Sequence, residues 1–489
     1  MIFFKKKKKI LELVDATQEM VGLLDQELDL NKALANCMKA IEVVEDNLEG
    51  ELPASARSNL DDLQVIHDAL QLVYQKEISL NSDLIHKLQN MLVSVQKNLN
   101  RAIPVKLNIA FMPYKVTMWD SLASIYEAAK KDPACVAKVI PIPYYQLAKN
   151  RATPTYEGKL FPKDVPVTSY QDYNLAKEEP DIIFIHNAYD QFNTITRVDE
   201  RFFTSNLKKY TDMLVYVPYH ITNFIRLNNN KQYIAYSIST MANIDKIVLA
   251  GQFVKDAAIK YGVPEEKIIV AGSPKMDAVY QFAKRAKTIP EKWSDQLQNK
   301  FVFGLDINCM DLINNPFGEF ALIEQVFDAA RMLPNCAVIW RPHPLTRTAI
   351  VHYIPQMLTK YDSLVAEIKE HSVRYPNIVF DDGSEYLTFF NATDAFISNP
   401  GSLMTLYTIT EKPMIMSTGS FGNENLLPEK AFYYFYDTEY PWYRIAEGLV
   451  KGKDPRQEFR KNLAEKLYTN TRGDSGLTIL KIIKSAITQ

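Results

Sequence analysis

The run Trp340-Arg341-Pro342-His343-Pro344 sets one guanidinium and one imidazole among prolines. Proline fixes φ and removes a backbone donor, so such a loop is stiff. A stiff loop can hold a cation and a titratable ring in fixed positions. Arg341 would then contact phosphate oxygens bidentately, and His343 would donate to one of them or carry a proton. The bland alternative is that His343 closes its own loop and Arg341 pairs with a carboxylate.

A second run, Ser398-Asn399-Pro400-Gly401-Ser402, combines a glycine that lets a ligand approach the backbone with Ser402 as the expected N-cap of a following helix, an arrangement suited to an anion. A third is Gly272-Ser273-Pro274-Lys275-Met276-Asp277: Lys275 is expected to balance phosphate charge, and Asp277 to cap the following helix. A fourth is Tyr219-His220-Ile221-Thr222, where a His just beyond a strand is placed like a proton acceptor, although a His after Tyr is more often structural. His186 has a similar position and less support. The acidic groupings at strand ends, Asp306 with Asn308 and the pair Asp381 and Asp382, lack metal-site spacing. Neither the P-loop pattern nor the dinucleotide glycine fingerprint occurs, so no cofactor or metal is expected.

These loops need strands and helices to hold them. From residue 104 onward, short apolar runs alternate with helical segments, the pattern of parallel sheets covered on both faces. Strands are expected at Val105–Phe111, Val136–Pro141, Asp181–Ile185, Met213–Val217, Lys246–Leu249 and Ile268–Ala271. A second series is expected at Phe301–Leu305, Ala337–Trp340, Ile378–Phe380, Ala395–Ser398 and Pro413–Met416. Every candidate loop follows one of these strands, where ligands of such sheets bind. Residues 10–103 differ. Apolar residues at Ile10, Val14, Thr17, Val21 and Leu24, and in three later sets, step by three or four and put one stripe on each of four helices. Breaks at Asp29, at Gly50 to Pro53 and at Leu80 to Ser82 supply turns, with Ser55 or Ser58 and Asn81 or Ser82 as caps. The expected organisation is a helical bundle over 1–103, one Rossmann-like domain over 104–290 and a second over 291–489. The bundle would serve docking or homo-oligomerisation.

The 489 residues carry 56 Lys plus Arg against 58 Asp plus Glu, which gives no global case for nucleic acid. Four scattered cysteines without C-x-x-C spacing read as free thiols of a reducing compartment. No apolar run reaches the ~18 residues of a spanning helix. A cytoplasmic protein is therefore expected. Lys5 to Lys9, beside Phe3 and Phe4, suggest attachment to an anionic membrane surface, with a solvated helix start as the alternative. The aromatic runs Phe432 to Tyr436 and Tyr440 to Tyr443 read as packing.

Three stretches, AGSPKMD, VIWRPHP and Asp381 to Met416, resemble the CDP-glycerol glycerophosphotransferase family, which builds teichoic acid polymers. The resemblance spans about Val105 to the carboxyl terminus. It implies an α/β fold of GT-B type, two Rossmann-like domains facing a cleft, with the acceptor on the first and the nucleotide donor on the second. Residue by residue, the family's W-H-G-T-P-L-K segment matches at His220 and Thr222 but loses its Gly and Lys. Its R-x-H-P loop matches at His343. Its G-x-P-R-x-D segment corresponds to Gly272 through Asp277, with Lys275 for Arg. Its D-Y-S-S-x-x-x-D segment becomes Asn399-Pro400-Gly401-Ser402, with Leu406 in place of the last Asp.

The resemblance implies that His220 and His343 are catalytic. It further implies that Arg341, Ser402, Gly401, Asn399, Ser398, Lys275, Ser273, Gly272 and Thr222 bind the donor. The implied reaction moves glycerol phosphate from CDP-glycerol, or another nucleotide-activated donor, to a hydroxyl of a surface polymer or its lipid-linked precursor at the inner face of the membrane. The lost family residues leave two alternatives. One is a glycosyltransferase of the same fold using a nucleotide sugar; the other is a degenerate, non-catalytic scaffold.

Overall fold

The fold is a computed structural model that describes residues 1–52, 57–148, 151–226, 236, 238–371 and 373–488. It divides into two compact units. One comprises Met1–Ala110 with Ala129–Lys138 and Leu175–Ile182; the other comprises Phe111–Ala128, Val139–Asn174 and Ile183–Gln489.

In the first unit, helices Phe4–Gly22, Leu30–Leu48, Ser58–Tyr74 and Ser82–Ala102 form a closed bundle, each packing on the helix before and after it, the fourth on the first. Side chains such as Val14, Val21, Leu34, Ile41, Leu63, Ile66, Leu88 and Val95 make its core. The apolar stripes meet inside the bundle. Asp29 and Asn81 cap the second and fourth helices by accepting the Lys32 and Leu84 amides at 3.1 and 2.8 Å. Ser58 is already helical, with Arg57 before it and no side-chain cap. Pro53 and Ser55 lie outside the described residues.

The amino terminus departs from the sequence expectation. Ile2–Phe3 is a short strand paired in parallel with Val105 and Lys106, and the lysine run lies inside the first helix. Lys7 is buried and donates to the carbonyls of Asn100 and Ile103, at 2.6 and 3.3 Å. A cation there satisfies acceptors at the carboxyl end of the fourth helix. At least this lysine is engaged by the fold. No helix among the described residues is long and apolar enough to cross a membrane.

The second unit holds two parallel sheets. In the first, Met213–Tyr216 pairs with Lys246–Leu249, which pairs with Ile268–Val270. The second has the order Ile378–Phe380, Cys336–Trp340, Phe301–Asp306, Ala395–Ser398, Met414–Met416, Tyr433–Tyr434, every pair parallel. In chain order that is 3-2-1-4-5-6, the doubly wound Rossmann arrangement. Period two explains the unbroken apolar runs. Phe303, Leu305, Val338 and Trp340 enter the core on one face, while Val302, Ala337 and Ile339 enter the core on the other. Two such α/β sheets in one chain, beside an all-helical segment, make the GT-B type of architecture.

A three-stranded antiparallel sheet, Arg151–Thr155, Tyr144–Ala148 and Thr196–Val198, was not expected. Tyr144–Ala148 and Arg151–Thr155 are half-exposed, and Pro154 interrupts the pattern that would reveal them. In the aromatic run, Phe432, Tyr433 and Phe435 are buried, and Phe435 stacks on Trp442 at 5.3 Å, whereas Tyr436 is exposed.

Candidate functional site

Three neighbouring strands of the six-stranded sheet end at one cleft of about 360 Å³. Trp340 runs into the Arg341–Pro344 loop, Ser398 into the Asn399–Gly401 turn, and the strand from Phe301 ends at Asp306. The cleft is lined by Arg341, His343, Ser398, Asn399, Gly401 and Ser402, six residues that the sequence singled out. It is also lined by Asp306, Asn308, Ser384 and Tyr386, which the sequence did not assign.

Arg341 is buried, and its guanidinium pairs with the Asp381 carboxylate and contacts the Glu385 carbonyl at 3.4 Å. Asp381 is itself buried and accepts the Gly383 amide. An unpaired guanidinium in such a place would carry a large desolvation cost, so the cation comes with its own counter-ion. The free bidentate phosphate anchor of the sequence reading is thus an ion pair at the cleft wall. His343 is exposed, and its Nδ1 accepts the Leu345 amide at 3.2 Å, which leaves Nε2 to carry the ring proton. Partial desolvation lowers its pKa below the ordinary value.

The side-chain Oδ1 of Asn399 accepts the Asn308 amide at 3.0 Å. Gly401 occupies the cap position, and Ser402 is the first residue of the six-residue helix Ser402–Tyr407. The Ser402 hydroxyl is turned to the Ile221 carbonyl at 3.2 Å, away from capping duty. Asn223 reaches the Pro400 carbonyl at 3.5 Å, so the loop carrying His220 rests on the turn carrying Gly401.

His220 itself lies in a small neighbouring cavity with Thr222, Tyr236, Gly272 and Ser273. Its Nε2 is 3.4 Å from the Tyr236 hydroxyl and its Nδ1 3.5 Å from that of Tyr189. Burial pushes its pKa down to about 4, and the charge of Lys275 adds to the effect. It is a neutral imidazole at neutral pH. Thr222 shares the Tyr236 hydroxyl at 3.4 Å.

The third run is largely architectural. Ser273 caps the helix Pro274–Ala283. Gly272 has φ +84, and a Cβ there would fall 2.3 Å from the Thr469 carbonyl oxygen. The glycine admits the carboxyl-terminal chain. Asp277 accepts Ser124 Oγ and the amides of Ser475 and Gly476, at 2.7, 3.1 and 2.8 Å, so the helix it caps is the last one, Ser475–Thr488. Lys275 is buried and held by Asp120 at 2.7 and 2.8 Å. Its charge is compensated within the protein. His186 is also structural. Its Nε2 accepts the Tyr114 amide at 3.1 Å, its Nδ1 faces the Met118 carbonyl at 3.2 Å, and burial pushes its pKa down to about 3.

Asp306 is the main residue that the motif reading passed over. It is 9% exposed, and burial pushes its carboxyl up to about 7 against the opposing influence of Arg341. Its position at a strand end was visible in the sequence; only its protonation chemistry and enclosure required the fold.

No protein-family profile and no curated protein matches the chain. Among solved structures it is similar to a putative UDP-N-acetylglucosamine 2-epimerase from Listeria monocytogenes, at 14% identity and a TM-score of 0.49, over 78% of this chain and 97% of that one. The UDP-GlcNAc 2-epimerase of Methanocaldococcus jannaschii in complex with UDP-GlcNAc and UDP gives 14% identity and a TM-score of 0.48, over 78% of this chain and 100% of that one. A variant of the wall teichoic acid polymerase TagF gives 15% identity and a TM-score of 0.45, over 82% of this chain and 96% of that one.

Proposed function

We propose that this protein is a transferase that moves glycerol phosphate, or a related polyol phosphate, from a CDP-activated donor to a hydroxyl of a cell-surface polymer or its lipid-linked precursor. The observation that carries this reading is the convergence of the Arg341–Pro344 loop and the Ser398–Ser402 turn on one cleft at the carboxyl ends of parallel strands.

In the reaction, the acceptor oxygen forms a bond to the phosphorus bearing the glycerol. The bond from that phosphorus to the bridging oxygen breaks, and CMP leaves with the electron pair. His220 takes the acceptor's proton on its neutral imidazole; an incoming phosphate dianion raises its low pKa toward the working range. His343 donates from Nε2 to a phosphoryl oxygen. Positioning and hydrogen-bond donation supply the acceleration. At the membrane, the exposed members of the Lys5 to Lys9 run, Lys8 and Lys9, would face anionic lipid.

One observation favours a nucleotide-sugar glycosyltransferase as the second reading: Arg341 and Lys275 both sit in ion pairs, so the site offers hydroxyl-binding groups more than free cations. CMP release from CDP-glycerol in the presence of a polyol-phosphate acceptor tests the first reading. His343→Ala should reduce turnover by about 100-fold or more with an unchanged melting temperature. Full activity in that variant would remove His343 from the mechanism.

A further inference from the structure

We propose that Asp306 and Asn399 together bind a hydroxyl group of the ligand at the switch point of the six-stranded sheet. The two residues stand at the ends of adjacent strands, since Asp306 is the register partner of Ser398, the residue before Asn399. These are the first and fourth strands of the 3-2-1-4-5-6 order, where the chain reverses direction across the sheet and opens a crevice.

Both side chains are more than nine-tenths buried and both line the cleft. Among the described residues, Asp306 Oδ1 and Asn399 Nδ2 have no hydrogen-bond partner. Leaving a buried donor and a buried acceptor unmade is costly, so such groups need a partner. The rest of Asn399 is fixed, because its Oδ1 accepts the Asn308 amide, and this sets the amide nitrogen as the free donor. A donor amide beside a carboxyl is complementary to a hydroxyl, which accepts from one and donates to the other. Burial pushes the Asp306 carboxyl up to about 7, which suits it to a neutral group better than to a second charge. Arg341, the cation of the same wall, is already engaged by Asp381 and does not compete for Asp306 as a full partner.

The inference deepens the transferase reading and rests on it for the ligand: the hydroxyl belongs to the transferred polyol or to the ribose. Calorimetric titration of CDP-glycerol, CDP and 2′-deoxy-CDP into wild type, Asp306→Ala and Asn399→Ala distinguishes the two. Loss of about tenfold or more for CDP-glycerol alone assigns the polyol hydroxyl. Loss for CDP and CDP-glycerol, with 2′-deoxy-CDP insensitive to the substitutions, assigns the ribose. Unchanged affinity for all three in both variants overturns the proposal. Asp306→Asn, which keeps an acceptor oxygen and should recover part of the affinity, carries the test if Asp306→Ala does not fold. If wild type binds none of the three, the cytidine-donor reading falls by itself. Saturation-transfer NMR with glycerol as the probe then decides: a signal in wild type that disappears in the variants sustains the hydroxyl site, and no signal, or one that survives, overturns it.

Discussion

Tyr386 donates its hydroxyl to Asp120 Oδ2 at 2.6 Å, and the same carboxylate holds the ammonium of Lys275 at 2.7 and 2.8 Å. Asp120 thereby joins a tyrosine of the cleft wall to the lysine whose charge acts on His220. Asp120→Asn removes the counter-ion and leaves a buried ammonium. We expect a loss of about 3 kcal/mol in chemical denaturation. The uncompensated Lys275 charge should also move the His220 pKa further down, read by NMR titration of the imidazole. An unchanged His220 titration would break the link between the two.

The two glycines of the candidate site should behave oppositely. Gly272→Ala forces a side chain into a positive-φ position against the Thr469 carbonyl and should cost about 1–3 kcal/mol. At Gly401 the nearest atom to an added Cβ is 3.9 Å away and φ is −152, so alanine should change stability by about 0.5 kcal/mol or less. Thermal unfolding of both variants checks this, and ligand titration should show the added methyl of Gly401→Ala weakening binding in the cleft.

Acid should act through His186. Its Nε2 accepts an amide and cannot carry a proton without losing that bond. The folded state holds it near pKa 3, against an ordinary value of 6.5, so the unfolded chain binds the proton first as pH falls. Stability present above pH 6.5 is therefore lost between 6.5 and 3, by at most about 1.4 kcal/mol per pH unit. Asp306 and Glu319, both pushed up to about 7 by burial, work in the opposite sense. Their folded forms keep protons that the unfolded chain has lost, so they subtract stability as pH rises from about 4 to 7. Comparing His186→Gln with wild type isolates the histidine: the stability gap between them should shrink steadily below pH 6.5, and a constant gap would contradict the assignment.

The Arg341–Asp381 pair yields a separate expectation. Asp381→Asn leaves the guanidinium buried without its carboxylate and should cost about 3–5 kcal/mol in denaturant unfolding. Because the charge then faces the cleft alone, anion affinity should rise and become more sensitive to salt. A variant of wild-type stability with unchanged salt dependence would contradict this picture of the cleft wall.

How much of this was legible in the sequence depended on distance along the chain. The strand Ala395–Ser398 and the strand Ile378–Phe380 appear where their apolar runs lie, because a strand buried on both faces writes itself into three or four consecutive residues. Asn81 was recognisable as a cap because capping is local. The cleft lining from Arg341 to Ser402 was readable for the same reason: each loop follows its own strand. The link from Asp120 to Lys275 and Tyr386 spans 155 and 266 residues and leaves no local pattern. Lys7 looked like part of a surface charge run, and only the fold shows the acceptors that bury it. The compensation of Arg341 was similarly hidden, since Asp381 lies 40 residues away on another strand end.

The most direct test of the central claim is a thermal-shift panel of CDP-glycerol, CDP and CMP against UDP-sugars and GDP-sugars. A ligand at 100 times its dissociation constant stabilises by about 2.7 kcal/mol, an effect well within detection. A polyol-phosphate transferase predicts stabilisation by the cytidine compounds and not by the others. A preference for uridine or guanosine sugars would transfer the protein to the glycosyltransferases, and no shift with any nucleotide would contradict a donor-binding cleft and leave a scaffold.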